Sequence, residues 1–218
     1  MFDRRPFFKP IMTKSERTRH LIIERSAELF NRQGFHGTSM SDIMRATGLT
    51  KGGIYGNFKR EGADKKGVKE EIAIAAFEYA VREVTSTIRE RTKKLTGTLD
   101  KLRATVYFYQ ERVLNPTIKG GCPIQNTSVD ADDNHPWLRD RVREKMTEWR
   151  ERTAYVVRRA QRSGEIRPEV DADEFATLFI ATLEGGVMLS QLYKDGSYFD
   201  VTARQLLRMI DDLKPNGL

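Results

Sequence analysis

The stretch Thr38 to Phe58, TSMSDIMRATGLTKGGIYGNF, decides the fold of this chain. It divides at Thr47-Gly48-Leu49. Upstream, Thr38 reads as the N-cap of a short helix carrying Met40, Ile43 and Ala46 at helical spacing. Downstream, Thr50 caps a second short helix that runs through Phe58. Two helices of about two turns each, joined by a tight turn, form a helix-turn-helix. Gly48 supplies the left-handed residue of that turn without a Cβ penalty. The second helix opens with Thr50-Lys51-Gly52-Gly53. Bare glycines there let the backbone approach another surface closely, and the helix dipole favours phosphate. Each glycine costs roughly 1 kcal/mol of helix propensity relative to alanine, so something other than stability favours them. Ile43, Leu49, Ile54 and Phe58 read as the core of this unit.

Working outward, the periodicity stays helical. On the N-terminal side, Ile23, Ala27, Leu29 and Phe30 share one face of a helix from about Ser15 to Gln33. Gly34 stops it and Phe35 folds back as the hydrophobic closure. On the C-terminal side, Ile72, Ala75, Ala76, Tyr79 and Ile88 mark one long helix. Leu99, Leu102, Val106, Tyr109 and Val113 mark the next. Asn115, Pro116 and Gly120-Gly121-Cys122-Pro123 read as a loop. Pro136 opens a helix through Leu138, Val142, Met146, Trp149, Thr153, Val156 and Ala160, ended by Gly164. Asp171, with Glu174 three residues on, starts a long helix to about Tyr193. Leu206, Leu207, Ile210 and Leu213 mark the last. The fold class is all-α. The expected organisation is a flexible arm over residues 1–14, the helix-turn-helix unit over 15–69, and a larger helical unit over 70–218.

The chain has 218 residues, enough for one or two domains with a sizeable core. No stretch approaches the ~20 uninterrupted apolar residues of a membrane span, and residues 1–10 lack the apolar run of a secretory signal. One cysteine, Cys122, excludes an internal disulfide framework and an all-cysteine metal cage. The chain reads as cytoplasmic. Residues 1–69 carry 15 basic and 7 acidic groups, a net of +8, whereas residues 70–218 net −1. The entire positive excess therefore lies around the helix-turn-helix, which is the electrostatic footprint of a polyanion partner.

From Thr18 to Phe58 the sequence resembles the TetR family of transcriptional regulators. The resemblance is carried by Ala27, Leu29 and Phe30, Gly34-Phe35, Thr38-Ser39, Asp42-Ile43, Gly48-Leu49, Thr50 to Tyr55, and Phe58-Lys59. The larger unit resembles one subgroup through Gly121-Cys122-Pro123, Asp130 to Asp133 and Glu184-Gly185-Gly186. The family implies a three-helix DNA-binding domain, a helical effector-binding and dimerisation domain, and an operator-bound homodimer, usually a repressor, relieved by a small molecule. Thr50 to Phe58 would then be the recognition helix. Lys51, Gly52 and Gly53 would approach base edges or phosphates, Tyr55 the DNA backbone, and Thr38 and Ser39 phosphate. Thr50, Asn57 and Lys59 complete the expected DNA-binding set on this helix, Lys59 at the sugar–phosphate strand just past its end, although Asn57 stands where the family often has His or Tyr. The connection after Lys59, Arg60 to Val68, is about eight residues longer than expected; with two glycines and dense charge it reads as a mobile surface extension. The family's lysine at the start of the fourth helix falls on Lys69, with Lys65 and Lys66 as alternatives.

The remaining candidates are weighed on their own chemistry. Asp130, Asp132, Asp133 and His135 superficially suggest a metal site, but no EF-hand glycine and distal glutamate follow, so a solvated acidic loop is the simpler reading. Cys122 has only Lys119 as a basic neighbour in sequence, which argues against a redox role. His20, His36 and His135 are dispersed, and no Ser-His-Asp, P-loop or dinucleotide pattern appears. No catalytic residue and no cofactor are expected. Phe108, Met146, Trp149, Phe175, Phe179 and Met188 have helical spacing and read first as core; as a group they also suit a pocket for an apolar or aromatic effector. Phe175 to Tyr193 and Val201 to Leu213 are the expected dimer helices. A helical enzyme and a sequence-indifferent DNA-coating protein are the rival classes.

Overall fold

The computed structural model describes residues 12–58, 67–131 and 135–215. Among these, all regular structure is helical, in the order α1 (Lys14–Gly37), α2 (Met40–Thr47), α3 (Lys51–Asn57), α4 (Val68–Thr92), α5 (Thr98–Arg112), α6 (Pro123–Ala131), α7 (Pro136–Arg162), α8 (Ala172–Tyr193) and α9 (Ser197–Asp211). The arm before Met12, Lys59 and the Arg60–Lys66 part of the long connection, and Asp132 and Asp133 lie outside the described residues.

Local chemistry accounts for the helix ends. Thr13 caps α1 reciprocally: its hydroxyl accepts from the Glu16 N–H at 3.2 Å, and its own N–H donates to Glu16 at 2.7 Å. The expected stop at Gly34 appears as a break inside α1, where φ is 72° and ψ 175°, followed by one more helical turn. The cap of α2 is Ser39, not Thr38. The Ser39 hydroxyl accepts from the Asp42 N–H at 3.1 Å and Asp42 returns a bond to the Ser39 N–H at 2.8 Å. Thr38 is instead fully buried, its hydroxyl donating to the Gly34 carbonyl at 2.8 Å. Gly48 adopts the left-handed conformation the turn requires, at φ 71° and ψ 13°.

Two cores share α4. Ile22, Ile43, Ile54 and Phe58 pack with Ile72 at the start of α4. Phe77, one and a half turns on, belongs to the larger core with Val106, Phe179, Leu183, Phe199 and Leu206. The segment read as a loop before Pro136 contains a helix, α6, which packs between α1 and α7. α8 is long and apolar enough by composition to cross a bilayer, yet about half of it is buried against its neighbours, chiefly α7 and α9.

Candidate nucleic-acid interface and ligand cavity

α3 is a seven-residue helix with one buried side chain, Ile54, which anchors it in the small core. Thr50 caps it, the hydroxyl accepting from the Gly53 N–H at 3.2 Å. Its C-terminal end is tied to α1 through Asn57. The Asn57 amide donates to Gly53 O at 2.7 Å, its oxygen accepts from the Ser15 hydroxyl at 3.0 Å, and its carbonyl accepts from Arg19 at 2.8 Å. Arg19 also lies 4.1 Å over the Phe58 ring. Asn57 therefore has its hydrogen-bonding groups engaged inside the unit, where it fixes the pitch of α3 against α1. Serine and arginine at positions 15 and 19 are partners that local sequence reading misses, because they lie about forty residues away.

The outward face of α3 is unusually bare. Lys51 and Gly52 are exposed, and Tyr55 is 38% exposed with the Lys51 ammonium 5.5 Å from its ring centroid. A Cβ added at Gly52 or Gly56 would meet no protein atom within 4 Å, whereas one at Gly53 would rest on Thr50 and Leu49. Positions 52 and 56, one turn apart, thus offer naked backbone beside a cation and a phenol. Ser39 is exposed at the head of α2, while Thr38 has no surface to offer. Lys69 is drawn elsewhere: its ammonium sits 4.1 Å over the Phe35 ring, and partial burial lowers its pKa against the raising effect of Asp130.

Asp130 and its helix form the joint between the two cores. The Asp130 carboxylate accepts the Phe35 N–H at 2.6 Å, just after the break in α1, and a Cβ at Gly34 would lie 2.6 Å from that carboxylate. Asn126 donates to the Asn31 carbonyl at 3.0 Å and to Gly120 O at 2.8 Å. Asn31, buried on α1, donates in turn to Lys119 O at 3.0 Å and Gly121 O at 3.2 Å. The two ring nitrogens Nε2 of His36 and His135 meet at 2.8 Å. Among the described residues, no three His, Cys, Asp or Glu side chains gather as metal ligands.

The same segment lines a cavity of about 230 Å³ on its other side. Cys122, Pro123 and Ile124 form one wall; Val84 and Ile88 of α4, Leu102 and Tyr109 of α5, Trp149 and Val156 of α7, and Phe179 of α8 form others. Tyr109 and Trp149 stack, with ring centroids 6.5 Å apart. Of the aromatic and methionine candidates, Trp149 and Phe179 reach this cavity. Phe108 lies behind it in a smaller hollow with Arg112, Phe175 is packed in the core, Met146 packs against that core, and Met188 is on the surface, 51% exposed. Behind Cys122 stands Glu184, only 7% exposed, its carboxyl facing the Cys122 thiol and meeting no nitrogen or oxygen donor among the described residues. Burial raises its pKa to about 7. Burial, reinforced by Glu184, also pushes the Cys122 thiol and the Tyr109 phenol well up, so Cys122 is a poor thiolate.

Residues 22–60 match the family described as "Bacterial regulatory proteins, tetR family", and residues 98–206 match "Tetracyclin repressor-like, C-terminal domain". An uncharacterized HTH-type transcriptional regulator of Mycobacterium tuberculosis is 30% identical over 199 residues, covering 88% of this chain and 93% of its own length. The HTH-type transcriptional repressor DhaR of a Mycobacterium species is 23% identical, covering 84% and 86%. Among solved structures, a TetR transcriptional regulator from Chloroflexus aurantiacus superposes with a TM-score of 0.83 at 40% identity, covering 92% of this chain and 97% of that one. A TetR-family regulator from Cytophaga hutchinsonii does so with a TM-score of 0.82 at 32% identity, covering 94% and 98%. With its helix-turn-helix and its helical C-terminal half both matched, the chain belongs to the TetR family of bacterial helix-turn-helix transcriptional regulators.

Proposed function

We propose that this regulator is a cytoplasmic repressor that reads a pseudo-palindromic operator as a homodimer and is released by a small organic effector. The observation that carries the reading is the outward face of α3. Its underside is held by Ile54 and Asn57, while Lys51, Tyr55 and the bare backbone at Gly52 and Gly56 face out. A helix so presented fits a major groove, with its first turn at the base edges. Ser39, at the start of α2, would supply a phosphate contact from the side by exchanging its 2.6 Å hydroxyl bond to the Asp42 carboxylate for one to phosphate. A division of labour follows: residues 15–69 read DNA, and 70–218 bind effector and partner, with α4 belonging to both.

The dimer would form on α8 and α9. Leu178, Ala181, Gly185, Met188 and Leu192 repeat at intervals of three and four along the outer face of α8, and Leu192 is 70% exposed. Val201 on α9 extends the strip. An apolar stripe with that period is what a partner helix covers, and an obligate interface of this kind buries more than about 1,500 Å². Release would run through α6. Its first residues line the cavity and its later residues grip α1, so an effector that moves Cys122 to Ile124 moves the seat of Asn31 and Phe35. The effector then favours dimers whose recognition helices are wrongly spaced.

Titrating Lys51→Ala against operator and scrambled duplexes at several salt concentrations tests the assignment of α3. A base-edge contact predicts a loss of about 1–3 kcal/mol on operator and a narrower gap to scrambled DNA. An unchanged ratio would make Lys51 a phosphate clamp and move sequence reading elsewhere.

A further inference from the structure

The charge pattern around the α4–α8 cavity says which chemical class it takes, an inference that rests on the ligand-responsive reading above. Most of the wall is apolar or aromatic. Three of its threonines, Thr92, Thr105 and Thr153, donate their hydroxyl protons to carbonyls of their own helices, at 3.0 Å to Ile88, Lys101 and Trp149 respectively. These hydroxyls are therefore spent as donors. Four charged side chains border the cavity: Lys101, Lys145, Glu148 and Arg152. Glu148 and Lys145 are paired at 2.7 Å. Lys101 and Arg152 have no ion-pair or hydrogen-bond partner for their side chains among the described residues. The uncompensated charge at this cavity is thus cationic and comes from two different helices, α5 and α7.

The two cations also lie on one side. Glu165, just beyond α7, accepts the Thr98 N–H at 2.7 Å at the start of α5, while Trp149 of α7 stacks on Tyr109 further along α5. The helices are therefore antiparallel. Lys101 stands about 12 Å along α5 from Tyr109, and Arg152 is displaced from Trp149 toward the same end. An elongated ligand would meet positive charge at one end and the stacked aromatic wall of Tyr109 and Trp149 at the other. Such a field orients as well as attracts.

We propose that the cavity binds a small organic anion, with an apolar or aromatic body against Trp149, Tyr109 and Phe179 and a carboxylate or similar headgroup at Lys101 and Arg152. Against roughly 30 Å³ per water in the liquid, 230 Å³ suits a body of single-ring size with a short arm. Charge-assisted hydrogen bonds to the headgroup supply the selectivity, and the stacked rings supply the bulk of the contact.

Three probes with one body and three headgroups test this on the full chain: 4-phenylbutanoate, 4-phenylbutan-1-ol and 4-phenylbutylamine, titrated by calorimetry. The carboxylate should bind about tenfold tighter than the alcohol, and the ammonium weakest of the three. In Lys101→Gln/Arg152→Gln, the three affinities should converge to within about threefold, with the alcohol still bound as evidence of an intact cavity. Alcohol or ammonium binding as tightly as the carboxylate in the parent chain would overturn the proposal. So would a carboxylate preference that survives the double substitution, or no binding of any probe at millimolar concentration. Operator affinity measured with and without 4-phenylbutanoate separates the two levels of the argument. A bound carboxylate that leaves operator affinity unchanged refutes the release mechanism and leaves the ligand class standing. Failure of the headgroup series with operator binding intact does the reverse.

Discussion

Replacing the outward glycines of α3 by alanine should move stability and DNA affinity in opposite directions. At Gly52 and Gly56 an added methyl meets nothing within 4 Å in the free protein, so neither substitution introduces an internal clash. Alanine for glycine inside a helix is worth about 0.5–1 kcal/mol, and both positions lie within a turn of an end of α3, so the lower figure applies. The pair Gly52→Ala/Gly56→Ala should then gain about 1 kcal/mol, or about 2–4 °C in melting temperature for a chain of this size. Bound to DNA, the same methyls stand where backbone meets the duplex. Forcing methyls into a packed contact costs about 1–3 kcal/mol, which is about 5- to 150-fold in affinity per half-site. Gly53→Ala is the internal control. Its methyl would lie against Thr50 and Leu49, so it should share little of the DNA defect. Thermal unfolding and fluorescence anisotropy on an operator duplex measure both sides. A double variant that is more stable and binds DNA as well as the parent would refute the idea that these glycines are kept for close approach. A less stable one would show that α3 needs them for its own backbone.

Other outcomes follow from single groups. Glu184 has its pKa raised in the folded state to about 7 by burial, so the folded chain holds a proton that the unfolded chain releases above about pH 4.5. Its contribution to stability should fall as pH rises from about 4.5 through 7; Glu184→Gln should be nearly neutral at pH 5 and stabilising at pH 8 by urea unfolding, and equal effects at both pH values would contradict this. Asp130→Ala leaves the Phe35 N–H without its acceptor and should cost about 1–2 kcal/mol, with faster amide exchange at Phe35; unchanged exchange there would mean that α6 does not hold α1. Leu192→Glu puts a charge on the apolar strip of α8 and should give a monomer by sedimentation at micromolar concentration; a persistent dimer would move the interface elsewhere.

How much of this could be read from sequence depended on where each residue's partners lie. Helices with an apolar stripe, such as α7 and α8, declare themselves by spacing, and Gly48 and Gly164 mark their turns at positive φ. α6 does not. Its residues PIQNTSVDA bury only Pro123, Ile124 and Ala131, and its remaining grip on the fold is polar, through Asn126 and Asp130 to α1. A helix held by side-chain amides and a carboxylate looks like a loop to a reading based on apolar periodicity, and an acidic residue looks like a solvated one. The cap of α2 failed for a nearer reason. Thr38 and Ser39 are adjacent hydroxyls, and only the reciprocal Asp42 three residues after Ser39 separates them. The face of α3 was legible because cap, glycines and Lys51 are contiguous. The role of Asn57 was not, because Ser15 and Arg19 complete it from across the fold.

The central claim, that α3 of a symmetric dimer reads a defined DNA sequence, is tested most directly by selecting bound duplexes from a random pool with the full chain. The account predicts enrichment of an inverted repeat whose half-site centres are set by two adjacent major grooves, and a weaker enrichment of the same repeat for Lys51→Ala. Recovery of duplexes with no common sequence, bound equally well by parent and variant, would contradict it.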